Sequence, residues 1–207
     1  MSAKKETRVV APYITTWSAE VDPAVTLVER HGGGIAYADE VVADRDGNGV
    51  LWWRTSLRPG SGRPLFGQVH PLRQRRAMRR LLCQVCAGPA DRTDDGVLWL
   101  LKDHRDDWPS WPDGMGVMEP PICVSCVALS VRLCPALRRS AAVVRARRFP
   151  VAGVRGALYR GGPRPVPIAE ATLRIGDPRT RWLRATSLIR ELNDTTVMPF
   201  DIGGKVG

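Results

Sequence analysis

The sequence predicts an α+β fold in three parts: a β-rich N-terminal portion (residues 1–60), a basic helix with a metal-binding module (61–148), and a C-terminal helix-plus-strand β/α extension (149–207). Three observations predict it. Short apolar runs of strand length, bounded by Gly, Pro and Asp, occupy both ends of the chain. One stretch after Pro71 switches to a helical period. Two Cys-x-x-Cys pairs, Cys83/Cys86 and Cys123/Cys126, bracket the middle. At 207 residues, 43% of them hydrophobic, the chain is long enough to bury a substantial core.

Taken in order, Arg8–Trp17 alternates weakly and suits a strand. Asp22-Pro23 before Ala24, Val25, Leu27 and Val28 predicts a short helix, with Asp22 as N-cap and Pro23 at its first position. His31-Gly32-Gly33-Gly34 would end it, because glycine accepts positive φ. Ile35–Ala43 and Val50–Ser56 are β-like runs joined by Asp44-Arg45-Asp46-Gly47-Asn48-Gly49, which predicts a hairpin. Leu57–Pro64 is a Gly/Pro-rich connector.

On a helical wheel, Ala77, Met78, Leu81 and Leu82 share one side and Arg73, Arg75, Arg76, Arg79 and Arg80 the other. The spacing predicts an amphipathic helix running into Cys83. Val97–Lys102 reads as a buried strand, and Asp103–Pro121 as a turn-rich loop. A helix starts at Cys123, Pro135 ends it, and a second helix is expected over Ala136–Arg147. The tail predicts strands at Val151–Tyr159 and Ala171–Ile175 with a turn at Pro163–Pro167 between them. Arg181–Leu192 is ambiguous, because Trp182, Ala185, Ile189 and Leu192 fit helical spacing.

The charge is +10, from 27 Arg and 4 Lys against 21 acids, and it is unevenly placed. Residues 1–50 carry −3, 51–90 carry +8, 91–122 carry −5 and 123–207 carry +10. An acidic insert thus lies between two basic segments, with a cysteine pair at each end. Clustered basic charge is the footprint of a polyanion ligand. No apolar run is long enough to span a membrane. Lys4, Lys5, Glu6 and Arg8 do not resemble a signal peptide, so the cytoplasm is the expected compartment.

In a cytoplasmic chain with five cysteines, paired spacing points to metal rather than to disulfides. Two residues between thiolates let a tight turn aim both sulfurs at one ion, and two such turns complete a tetrahedral shell. Zn²⁺ suits four thiolates best; an iron–sulfur cluster and four ordinary thiols are the alternatives. Cys134 falls two helical turns past Cys126 and is expected in the core. A turn, a strand, then a second turn opening a helix is the order of a treble-clef finger, which makes the central module an expected treble-clef zinc module.

The run Arg73–Arg80, Cys83-x-x-Cys86-Ala87-Gly88-Pro89, Asp94-Asp95-Gly96, an apolar strand, Asp103-His104 and Cys123-x-x-Cys126 resembles the zinc-scaffolded HNH endonucleases of the ββα-metal group, over about residues 72–132. The resemblance implies that His104 activates water for attack on a phosphodiester beside a second divalent metal. The chain departs from the pattern twice. Arg105–Ile122 contains no Asn, and Val127 stands where the family has a histidine.

Other motifs are weaker. Asp44-x-Asp46-x-Asn48-Gly49 matches half of a calcium loop, but its twelfth position is Thr55, so a hairpin turn is the better account. No Gly-x-Ser-x-Gly accompanies His31-Gly32-Gly33-Gly34, so no esterase elbow is present. Trp52, Trp53 and Trp99 are expected in the core, whereas Trp108 and Trp111 would pack over the metal site or stack on a base.

The expected function is therefore sequence-tolerant nucleic-acid binding on a structural zinc. Arg73, Arg75, Arg76, Arg79, Arg80, Arg138, Arg139, Arg145, Arg147 and Arg148 would neutralise phosphates. A zinc-stabilised scaffold for an acidic protein partner and an HNH-type nuclease are the other two classes.

Overall fold

The computed structural model describes residues 11–201 and 205–206; the expectations for Met1–Val10, including the first residues of the Arg8–Trp17 strand, lie outside the described residues. The chain folds as β1 (Thr15–Trp17), β2 (Leu27–Glu29), β3 (Ile35–Tyr37), β4 (Leu51–Trp52), β5 (Pro64–Val69), α1 (Pro71–Arg80), β6 (Arg92–Thr93), β7 (Gly96–Lys102) and β8 (Met115–Val117). It continues as α2 (Val124–Leu133), β9 (Ala141–Arg148), β10 (Val151–Arg160), β11 (Val166–Arg174) and β12 (Leu183–Met198). Mixed and strand-rich, this is an α+β chain.

Eight strands form one sheet of order β11-β10-β12-β9-β7-β6, with β4 and β8 also paired to β12. β12 is its spine: its first half pairs with β10 and its second with β9. β1–β5 and β2–β3 form separate two-stranded ribbons. β7 is buried on both faces, which is why its apolar residues run without alternation. Val97, Trp99 and Leu101 enter one cluster with Met78 of α1 and Leu188 and Leu192 of β12. Leu98 and Leu100 enter another with Ile122, Val127 and Val131 around α2. Each fully buried aliphatic of this kind contributes about 1.5–3 kcal/mol.

Helix α1 forms as its periodicity predicts. His70 caps it, accepting at Nδ1 from the Arg73 amide, and Pro71 occupies its first turn. Leu81, at φ 52°, closes it in a left-handed conformation. The helix docks on β12 through Gln74, whose buried amide donates to the Met118 and Leu188 carbonyls and accepts from the Leu188 amide. Helix α2, starting after Cys123 and ending before Pro135, also matches expectation.

Four elements differ from the sequence reading. Residues 22–28 form no helix: Leu27–Glu29 pairs with Ile35–Tyr37, and the glycine run turns the chain between these strands. The β-branched Val25, Thr26 and Val28 favour that extended form. The expected 35–56 hairpin survives only as an Arg45–Leu51 bridge, because β4 takes β12 as its parallel partner. Ala136–Arg147 is not a second helix; it is a turn followed by β9, which fills the slot between β7 and β12 and satisfies both of their edges.

The fourth is β12 itself. Ser187 pairs with Arg155 and Ala185 with Gly156, so Thr186 is an extra residue, a bulge. A bulge reverses which face each later side chain takes. Buried Leu183 and Ala185 are thus followed by Leu188 and Leu192 in the same cluster. The helical spacing of Trp182, Ala185, Ile189 and Leu192 therefore marks no single face: only Ala185 and Leu192 enter this cluster.

Candidate metal centre

Cys83 and Cys86 lie on a turn held by its own backbone: Cys83 donates to the Gly88 carbonyl at 2.7 Å and the Ala87 amide to the Cys83 carbonyl at 3.0 Å. The Val85 amide points at Cys83 Sγ, 3.4 Å away, a contact that favours a negatively charged sulfur. Cys123 starts α2, and the Cys126 amide donates back to its carbonyl at 3.0 Å. The two turns are laced together, since the Gln84 amide donates to the Pro121 carbonyl and the Ile122 amide to Leu98 of β7. The N-terminal segment joins them through the Tyr13 and Ile14 amides, which donate to the Val85 and Gln84 carbonyls. No motif announces that last connection.

The sulfurs of Cys83, Cys86, Cys123 and Cys126 all lie within 4.8 Å of one another, and all four cysteines are free. Cys86 and Cys123 are 3.8 Å apart at sulfur. Tetrahedral thiolates at about 2.3 Å from a zinc ion stand about 3.8 Å apart, whereas a disulfide requires about 2.05 Å. The four cysteines can therefore hold one metal ion. Cys134 stands outside the group.

The titration of the thiols fits the same chemistry. Burial pushes Cys83 and Cys126 above the usual thiol range. Burial also opposes ionisation of Cys123, but hydrogen bonds from Ser125 Oγ and Cys126 outweigh it and leave Cys123 at about 7. A cation among the four sulfurs would offset the cost that burial imposes on Cys83 and Cys126 as thiolates. Leu98, Leu100, Ile122, Val127, Val131 and Val143 pack around the buried sulfurs and exclude water.

The arginines have dissimilar environments. Arg73 does not face solvent: 2% exposed, it donates to both Glu20 carboxylate oxygens and to the Thr15 carbonyl. Its guanidinium is committed to the fold. Arg145 is 7% exposed and donates to Asp91 at 2.5 Å and to the Gly96 carbonyl. Arg75 is half-buried, its guanidinium 4.5 Å from the Trp52 ring centre, and Arg79 is paired with Asp46 at 2.8 Å. Arg76 donates to the Tyr13 hydroxyl, Arg138 to the Arg132 carbonyl, and Arg147 to Asp95. Arg76, Arg79, Arg80, Arg138, Arg139, Arg147 and Arg148 are exposed.

The Asp46 loop is a structural hub. One carboxylate oxygen accepts from the Asn48 and Val50 amides, the other from Trp52 Nε1 and Arg79. Trp108 and Trp111 pack with the Trp99 cluster, not with the cluster around the cysteines. His104 lies in an exposed turn with Nδ1 3.2 Å from Asp107. Among the described residues, the four cysteines are the only group of three or more side chains placed to share a metal. No helix among them is long and apolar enough to cross a membrane.

No family model, curated protein or solved structure matches the chain.

Proposed function

We propose that the four cysteines bind one structural Zn²⁺ in a treble-clef arrangement and that the protein binds nucleic acid through its exposed arginines. The sulfur spacing carries the zinc reading. A redox-inert ion that accepts four thiolates without geometric strain suits a site buried on one side and held by two backbone-locked turns. The ion would close the chain around the acidic insert, between the two basic segments, and so act as a crosslink.

The nucleic-acid reading rests on the exposed Arg76, Arg79, Arg80, Arg138, Arg139, Arg147 and Arg148 in a chain of charge +10. Arg73 and Arg145, whose partners are internal carboxylates, are left out of it. The test is direct titration of zinc-loaded protein into labelled single- and double-stranded oligonucleotides at low salt. Saturable binding is the expected result, and its absence overturns the reading. Recovery of a bound acidic protein that survives nuclease digestion of the sample would favour the scaffold role instead.

A further inference from the structure

The segment joining β9 to β10 crosses the middle of β12 and leaves a shallow, open cleft of about 510 Å³ lined by Arg147, Arg148, Phe149, Pro150, Arg190 and Asn193. Three guanidinium groups and no carboxylate line it. Arg147 is already paired, with Asp95 at 3.0 Å and Asp194 at 3.9 Å. Among the described residues, neither Arg148 nor Arg190 has a carboxylate within the 4.0 Å of an ion pair. Glu191, next to Arg190 in sequence, accepts from the Asn193 side-chain amide at 3.2 Å.

Arg190 is the informative residue. Its Nε donates to the Met78 carbonyl at 3.0 Å and its Nη1 to the Phe149 carbonyl, while the Phe149 ring centre lies 5.5 Å away. These contacts fix the fork and neutralise none of its charge. Burial is the cause that lowers its pKa, so the cation is desolvated without a counter-ion. A half-buried, pre-oriented guanidinium beside a second free one suits a tetrahedral oxyanion, which Arg190 can engage through the N–H groups not committed to Met78 and Phe149, chiefly at Nη2.

We propose that this cleft binds a phosphoryl group, with Arg148 and Arg190 as its charge partners. A free mononucleotide and a nucleic-acid strand both carry that group; only the second source rests on the nucleic-acid reading above.

The test compares inorganic phosphate, adenosine 5′-monophosphate and a single-stranded 12-mer by calorimetric titration of the full zinc-loaded chain at constant ionic strength. Arg148, exposed at the end of β9, is replaced in Arg148→Gln and Arg148→Lys, with Arg164→Gln, an exposed arginine past the far end of β10 and outside the proposed binding set, as the charge-matched control. The expected result is a loss of about tenfold or more for Arg148→Gln with the probe that binds, partial rescue by Arg148→Lys, and little change in Arg164→Gln. Binding of the small probes identifies a mononucleotide-type ligand; binding of the 12-mer alone identifies a strand phosphate. If Arg148→Gln binds every probe as the parent does, or no better or worse than Arg164→Gln, the cleft assignment is overturned while strand binding stands. If the small probes bind through Arg148 and the 12-mer does not bind, the cleft stands and the nucleic-acid reading fails.

Discussion

Arg73 and Glu20 form a fork-to-fork ion pair across 53 positions of sequence, with side chains 2% and 0% exposed. The pair joins α1 to the turn after β1. The Trp17 and Arg58 amides fill the remaining acceptor positions of Glu20. Burial works against ionisation of this carboxyl, but Arg73 and those amides outweigh it and lower its pKa. Removing one partner leaves a buried charge alone, so Glu20→Gln and Arg73→Gln should each cost about 3–5 kcal/mol in denaturant unfolding, and Glu20→Leu/Arg73→Met together less than either single change.

The same pair sets a pH dependence. Because Glu20 ionises more readily folded than unfolded, its stabilisation is present above the ordinary carboxylate range and is lost as pH falls through the lowered value. His70 is kept neutral by burial and adds the same sign, beginning near its ordinary value of 6.5. Thermal midpoints should therefore fall on acidification, and the fall should be shallower in Glu20→Gln. A parallel fall in both proteins would show that Glu20 contributes nothing to it.

Elemental analysis should find one zinc per chain, none in Cys83→Ser/Cys126→Ser, and one again in Cys134→Ser. Structural zinc supplies folding free energy directly, so the double variant and chelator-treated protein should melt at least about 10 °C lower than the parent. Metal retained by the double variant would remove these cysteines from the site.

Oligonucleotide affinity should fall with salt as log K against log salt, by about 0.9 per phosphate neutralised on duplex DNA. Arg138→Gln/Arg139→Gln should reduce that slope by roughly 2. Arg75→Gln should change it little, because the guanidinium already rests on Trp52. A flat salt response excludes phosphate neutralisation.

Among the described residues, His104 meets Asp107 and belongs to no group of three or more metal-ligating side chains. Supercoiled plasmid incubated with the protein in Mg²⁺ or Mn²⁺ should therefore stay intact. Cutting by the parent that disappears in His104→Ala would restore the nuclease role.

Gly96 has φ +112°, and a Cβ there would sit 2.2 Å from the Ala146 carbonyl oxygen of β9. Gly96→Ala should destabilise by roughly 2–5 kcal/mol through backbone strain and the forced opening of β7 from β9. Since the same pairing supports Ile122 through Leu98, zinc should also be released at lower chelator concentration.

What the sequence determined by itself is local. The two Cys-x-x-Cys turns, the helix from Pro71, the helix starting at Cys123 and the buried strand Val97–Lys102 follow from short-range spacing, caps and an unbroken apolar run. Their cause lies within a few residues of their effect. The partners of β4 and β9, the bulge in β12, and the burial of Arg73 against Glu20 were decided by tertiary structure. Strand pairing satisfies backbone donors on distant segments, and Arg73 is drawn out of water where a remote carboxylate offsets its desolvation. Neither condition is written near the residue it governs. For the same reason an arginine-rich helix face, read alone, overstates how much of its charge is free for a ligand.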